Sequence, residues 1–480
     1  MMIHDPVGNR EKLSENPFRP LYHFSPPGFG LHDPTGLCFW EGKYHLFYLL
    51  NTPDIQWGRG HAVSDDLVHW QDLPMLPADI KGGTGQVWVE NDRVILGLAE
   101  SIAIASDPML LNWTRQELPM AGDQCLWGEE DGYYLCRTDT TYGATVLELL
   151  HSVDLSTWES LGDFLKDERF TDPGTDCSCP NLLPLGQHSH LLLFFSHNQG
   201  PKYYIGTYDK AHKRFRIEKH GRMCFGPVMR GSMHAPAGFV DPGGRCVAIW
   251  NIAEGFRDGN PMGLKEGILS LPRQLSENED SVKSGLDKIE LNPLRIEPIE
   301  ALKALRFDPV TIEDLSIPVH GETILETVQG RSMELDVVID PKDCSEVGLR
   351  VFRSPDGEEQ TTIRLLMDAW AWPWTSDKRE LMIDVSCASL NPDMASRSPE
   401  IGPLYLQAGE LLRLRIFLDR SVVEVFANDR QCLTVRAYPS RPDSHGVSVF
   451  ARGGDAHLVS FHAYQMKSIW PELQNDKDDI

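Results

Sequence analysis

Asp33, Asp123, Ser178 and His234 each stand nine residues before a hairpin turn of similar make, at Gly42, Gly132, Gln187 and Gly243. Carboxylates, a hydroxyl and an imidazole at one repeated position suit a pocket that holds a polar ligand and moves protons. Asp33 lies in Leu31-His32-Asp33-Pro34-Thr35-Gly36, where the following proline biases it to extended backbone, at the mouth of a sheet. A fifth equivalent, nine residues before Asp92, is Gly83 in Gly82-Gly83-Thr84-Gly85, which leaves room for a ligand. In Thr175-Asp176-Cys177-Ser178-Cys179-Pro180, Asp176 shares a strand face with Ser178, because residues two apart point the same way. Trp40 and Trp57 are the tryptophans nearest Asp33 in sequence. Either could form an apolar rim, and a core role is the competing reading. Asp-Pro and Asp-Gln also cap ordinary turns, but carboxylates at repeat-equivalent positions favour a site.

Two repeats in phase must position these residues. Apolar, β-prone runs flank Glu41-Gly42, Asn91-Asp92, Asp131-Gly132, Gly186-Gln187-His188 and Gly243-Gly244, a hairpin signature. The frames Ser64-Asp65-Asp66-Leu67-Val68-His69-Trp70, Ser106 to Trp113 and Ser152 to Trp158 share Ser, Leu and Trp, with tryptophans 43 and 45 residues apart. That period suits four strands plus loops, and so a propeller of one sheet per repeat. Past about Thr311 the chain alternates with period two, at Met333 to Ile339, Gly348 to Phe352, Thr361 to Met367, Leu412 to Leu418, Ser421 to Ala427 and His445 to Ala451, which implies a sandwich. The expected fold is therefore all-β: a five-bladed β-propeller followed by a C-terminal β-sandwich. The expected divisions are a mobile lead-in over 1–17, the propeller over 18–290, a linker with a short helix over 291–310, the sandwich over 311–472 and a tail over 473–480.

The 480 residues carry 45 Lys and Arg against 70 Asp and Glu, a formal charge of −25. A nucleic-acid partner is thereby disfavoured, whereas a small neutral ligand such as a sugar meets no electrostatic penalty. Neither a leader-like apolar run nor a bilayer-length span stands out, so the reading is a cytoplasmic protein with no membrane partner. Ten cysteines follow no framework and read as reduced, mostly buried thiols. Cys177-Ser178-Cys179 lacks the second pair that a zinc site needs.

Three stretches, His61 to Trp70, Gly267 to Arg273 and Leu414 to Phe426, together with His32-Asp33-Pro34-Thr35-Gly36, resemble glycoside hydrolase family 32, the invertases, levanases and inulinases. The resemblance implies a five-bladed propeller plus sandwich acting on β-D-fructofuranosides by retaining hydrolysis, with Asp33 as nucleophile. It implies that Asp123, in Gly122-Asp123-Gln124, stabilises the transition state, although the sugar-gripping Arg of that motif is Gly122 here. The family's acid/base Glu is Ser178 in this chain, and Leu49 stands where the family often has Gln. Asp176 is the expected replacement acid, its outer position raising its pKa; Asp172 and His234 are further candidates. His32, Trp57, Ser178, His234 and Trp40 are the expected sugar contacts. The chemistry calls for no metal or organic cofactor, and the partner is a small carbohydrate. The alternatives are a fructan-binding protein without activity and a hydrolase of another furanoside, such as an arabinofuranoside. Oligomeric state, linkage and exo or endo action stay open.

Overall fold

The computed structural model describes residues 6–28, 30–52, 55–119, 121–139, 146–165, 175–228, 231–254, 267–279, 283–284, 289–290, 292–367, 378–394 and 397–473. Residues 30–298 form a succession of antiparallel sheets in chain order. The first contains Gly30–Trp40, Lys43–Asn51, Gly58–Ser64 and Trp70–Leu73; the second Val87–Val89, Val94–Gly97, Ser101–Ala105 and Thr114–Glu117. The third contains Gln124–Glu129, Gly132–Asp139, Val146–Ser152 and Glu159–Asp163; the fourth Ser178–Pro184, His190–Ser196, Gly200–Asp209 and Arg214–Arg222. In the last, Met233–Val240, Cys246–Ile252, Arg273–Glu277 and Leu294–Pro298 pair in order. The initial strands of these sheets neighbour one another in sequence order, and that of the last neighbours that of the first, a propeller-like arrangement. Between the second and third sheets the contact is a parallel zipper: Gln86 N–H donates to Gln124 O at 3.0 Å and Gln124 N–H to Thr84 O at 3.3 Å.

The hairpins lie where the turn residues put them. Trp40 pairs with Lys43 across Glu41 and Gly42, whose φ angles of 46° and 86° suit the tight turn that matches strand twist. The Ser-Leu-Trp frames prove to be capped turns. Leu67, Leu110 and Leu155 are buried with φ of 67°, 51° and 67°, an unfavourable conformation for a side chain of that size. A neighbouring carboxylate compensates: Asp66 Oδ1 accepts from Val68 N and His69 N, and Asp154 Oδ1 from Ser156 N and Thr157 N, while Asp107 accepts from Leu111 N and Asn112 N. These aspartates are therefore accounted for by turn chemistry.

The C-terminal half is a β-sandwich of two sheets. One orders Arg306–Ile317, Ala456–Met466, Ser332–Asp340, Leu412–Asp419, Val422–Ala427 and Gln431–Arg436. The other orders Glu322–Gln329, Gly446–Arg452, Glu346–Arg353, Thr361–Leu366, Lys378–Asp384 and Glu400–Tyr405. All six strands expected from alternation are present. Of the six further strands, Arg306–Ile317 and Glu322–Gln329 escaped the pattern because they are edge strands that leave many side chains exposed. The short linker helix is a 3₁₀ turn over Glu300–Leu305.

Instead of a mobile lead-in, Pro6–Ser14 is helical. Its anchor is Arg10, 1% exposed, which donates to Asp72 at 3.0 and 2.6 Å and to Ser25 O at 2.8 Å and stacks over Trp470. A polar composition suggested solvent, but the guanidinium is satisfied on every side that the chain returns to. The two halves share an apolar core in which Leu269, Leu271 and Trp250 meet Phe417, Phe426 and Met466. Threaded through it is a buried polar joint: Asp419 accepts from Leu21 N, Tyr22 N and His23 N at 2.7, 2.8 and 2.9 Å, and bonds the His23 ring at 2.9 Å.

Candidate active site

Three initial strands are interrupted at the same place, each beside a proline that cannot donate to the ladder. The register of Gly30–Trp40 shifts around Pro34, that of Ser178–Pro184 between Ser178 and Asn181, and that of Met233–Val240 between Met233 and Pro236. Each bulge re-aims a side chain. Asp33 and His234 meet, with His234 Nδ1 at 2.7 Å from Asp33 Oδ1, and Asn251 Nδ2 reaches the same oxygen at 3.5 Å. Among the described residues Asp33 Oδ2 takes no hydrogen bond, so one carboxylate oxygen is held and the other is open.

Asp123 projects from the turn before Gln124–Glu129. Its Oδ2 accepts the Cys179 N–H at 3.0 Å and its Oδ1 the Thr84 N–H at 3.3 Å. The Cys179 thiol receives the Thr84 hydroxyl at 3.2 Å. Burial, then the negative charges of Asp123 and Asp33, push that thiol well above its usual pKa, which keeps it neutral between the two carboxylates. Gly83 lies against Asp123: a Cβ there would lie 3.2 Å from Asp123 Oδ1 and 3.0 Å from Ala99 Cβ.

His32 stays neutral because burial lowers its pKa, with Asp33 opposing and His234 assisting. Its Nε2 is 2.8 Å from Asn51 Nδ2, and its ring lies 4.9 Å from that of Trp57, which is 46% exposed and forms a rim. Trp40 does not reach the site. It is buried with Phe47, Leu76 and Val87, and its indole N–H donates to Asp107 O at 3.1 Å. Seven residues along an extended strand carry it roughly 23 Å from Asp33, which settles the choice between rim and core.

Asp176 and Ser178 do share a face, and the Ser178 hydroxyl donates to Asp176 Oδ2 at 2.9 Å. The expected rise in the Asp176 pKa does not occur. Burial acts to raise it, but the His197 ring on Oδ2, the His197 N–H on Oδ1 at 2.8 Å and the Ser178 hydroxyl outweigh burial and hold the carboxyl below its ordinary value. Asp172 lies outside the described residues.

Three residues of this cluster, Asn51, His197 and Asn251, were not singled out in the sequence. All sit at the end of a sheet's second strand: Asn51 closes Lys43–Asn51, His197 follows His190–Ser196, and Asn251 lies in Cys246–Ile252. The legible signal was a polar residue ending an apolar run, as in Leu49-Leu50-Asn51, Phe194-Phe195-Ser196-His197 and Ile249-Trp250-Asn251. Gly122 explains the missing Arg. It has φ of 132°, and a Cβ would sit 2.7 Å from Thr138 O. Gly122→Arg is therefore expected to lower stability by about 1–3 kcal/mol, read as a lower urea midpoint, without improving sugar affinity.

The fold and site define an all-β protein, propeller-like then sandwich, with paired carboxylates where the initial strands converge. The chain belongs to glycosyl hydrolases family 32: the N-terminal domain of that family matches residues 23–94 and 122–285, and its C-terminal domain residues 301–465. A levanase of Bacillus subtilis is 25% identical, over 94% of this chain and 71% of its own length. The sucrose-6-phosphate hydrolase of Escherichia coli is also 25% identical, over 94% and 95%. Among solved structures, fructan 1-exohydrolase IIa from Cichorium intybus superposes with a TM-score of 0.79 at 18% identity, covering 94% of this chain and 98% of that one.

Proposed function

We propose that the protein is a retaining glycoside hydrolase of terminal β-D-fructofuranosides, of sucrose, fructan or fructo-oligosaccharide type. The observation that carries this reading is that Asp33, on an initial strand, and Asp123, in the turn before another ninety residues on, both bear on the buried Cys179, with Asp33 Oδ2 unengaged among the described residues. The family membership and the names of the relatives, levanase and sucrose-6-phosphate hydrolase, support it.

In this reading Asp33 Oδ2 attacks the anomeric carbon, and His234 and Asn251 steady the other oxygen. Asp123, anchored by the Cys179 and Thr84 amides, meets ring hydroxyls as oxocarbenium character develops. His32 and Trp57 offer a polar edge and an apolar face to the sugar. The five initial strands, neighbours in cyclic order, support a five-bladed ring that extends past residue 290 to Leu294–Pro298, with the sandwich starting at Arg306–Ile317, so that the expected linker over 291–310 shortens to the 3₁₀ turn between them.

The test is sugar release by purified protein from sucrose, inulin, levan, difructose anhydrides and an aryl arabinofuranoside. Fructose release with retained anomeric configuration is expected. Release from the arabinofuranoside alone would move the assignment to another furanoside, and binding of fructans without turnover of any substrate would make the chain a binding protein.

A further inference from the structure

A retaining mechanism needs a proton for the leaving oxygen, and among the described residues no obvious carboxylic acid provides it. Ser178 occupies the relevant strand position, yet its hydroxyl is spent on Asp176. Asp176 is ionised by the three donors that surround it. His234 keeps its Nδ1 on the Asp33 carboxylate, so a proton there serves the nucleophile.

His197 is placed differently. Its backbone N–H and its Nδ1 both engage Asp176, a two-point grip that fixes the ring's direction and tautomer. The side chain is 61% exposed, and among the described residues Nε2 takes no hydrogen bond. Phe195 and the two imidazoles form a three-ring cluster, with the Phe195 ring 5.2 Å from His197 and 4.0 Å from His234 and the imidazoles 6.3 Å apart, edge to face. His197 thus stands directly beside His234, the group that holds the nucleophile. Phe195 is paired with Ser178 across the ladder, so His197 stands beside the strand position that lost its carboxylic acid.

We propose that His197, oriented by Asp176 and Ser178, is the acid/base of this enzyme, an imidazole–carboxylate pair in place of a single carboxyl. The proposal rests on the fructoside-hydrolase reading above. In the first step Asp33 Oδ2 bonds to the anomeric carbon. The carbon–oxygen bond to the leaving group breaks, its electron pair stays on that oxygen, and the proton on His197 Nε2 moves to it. In the second step neutral Nε2 takes a proton from water, the water oxygen bonds to the anomeric carbon, and the ester to Asp33 breaks to restore the carboxylate. Asp176 and Ser178 act as positioning residues. Among the described residues the titratable groups that face His197 are Asp176, His234 and, through His234, Asp33.

The experiment compares the full-length chain with His197→Ala and Asp176→Asn on an unactivated fructoside released in the screen and on 4-nitrophenyl β-D-fructofuranoside, whose leaving group needs no proton. His197→Ala should lose roughly 10²–10⁴-fold in kcat on the unactivated substrate, the worth of a general acid. On the activated one the loss in kcat/KM should stay below about 10-fold, and azide, which attacks without giving up a proton, should raise turnover. Wild-type kcat/KM should fall on the alkaline side, and the variant should lack that limb. Asp176→Asn, with the ring grip weakened, should shift the limb rather than remove it. Equal losses on both substrates, or an unaltered alkaline limb in His197→Ala, would overturn the proposal while leaving the hydrolase reading intact. Wild-type turnover of the activated fructoside alone would likewise remove His197 as an acid. Activity of Asp33→Asn equal to wild type would instead sink the underlying reading, and this inference with it.

Discussion

Asp33→Asn is expected to abolish fructoside hydrolysis, with kcat lower by at least about 10⁴-fold, the scale of losing a covalent nucleophile. That is a barrier increase of about 5.5 kcal/mol. The substitution keeps the shape of the side chain, and an amide oxygen can still meet His234 Nδ1, which lies 2.7 Å from Asp33 Oδ1. What it removes is the charge on Oδ2, the oxygen without a partner among the described residues. The loss should therefore be equal on activated and unactivated substrates, since the nucleophile acts on both. Initial rates with each substrate, alongside an unchanged circular dichroism spectrum, check this. The contrast with His197→Ala, which spares the activated substrate, separates the two roles within one data set.

Asp419→Ala is expected to destabilise the fold by about 3–5 kcal/mol, as for a buried charged partner removed from one side only. The N–H groups of Leu21, Tyr22 and His23 all end on this carboxylate, and the Ser332 hydroxyl reaches it at 3.3 Å. Each buried donor left without an acceptor costs about 1–3 kcal/mol. The joint also carries a pH signature. Burial lowers the pKa of His23, but its hydrogen bond to Asp419 and the Glu424 carboxylate 3.7 Å from Nε2 outweigh burial and raise it above the ordinary histidine value. A raised folded-state pKa means a contribution that is fully present below pH ~6.5 and is lost as pH rises through the folded value. Urea midpoints at pH 6 and pH 8 should differ in that sense for the native chain, and the difference should shrink in Asp419→Ala. An unchanged midpoint would mean that the two halves are joined by their shared apolar core alone.

Much of the architecture was legible in one sequence because it is periodic. Turn pairs such as Glu41-Gly42 and apolar alternation such as Leu412 to Leu418 encode strands locally, and the same counting that located the hairpins located Asp33, Asp123, Ser178 and His234. Edge strands such as Glu322–Gln329 were not legible, since they bury little and so show no alternation. The anchoring of Pro6–Ser14 was not legible for a related reason: a charged residue such as Arg10 in a polar segment gives no local sign of the Asp72 and Trp470 that receive it.

Within the site, residue type and repeat position were enough to nominate the two aspartates, and the Asp-Pro dipeptide was enough to locate a strand interruption. Which groups touch is another matter. Asn51, His197 and Asn251 come from or just after second strands: Asn51 and His197 meet His32 and Asp176 across neighbouring strands of their own sheets, whereas Asn251 reaches Asp33 only because the last sheet faces the first. The charge state of Asp176 likewise depends on donors from a neighbouring strand, which turned an expected acid into an ionised acceptor. A chain specifies the positions of its turns and strands through interactions between near neighbours, whereas proton affinities and partners in a pocket arise from groups that only folding brings within 3 Å of one another.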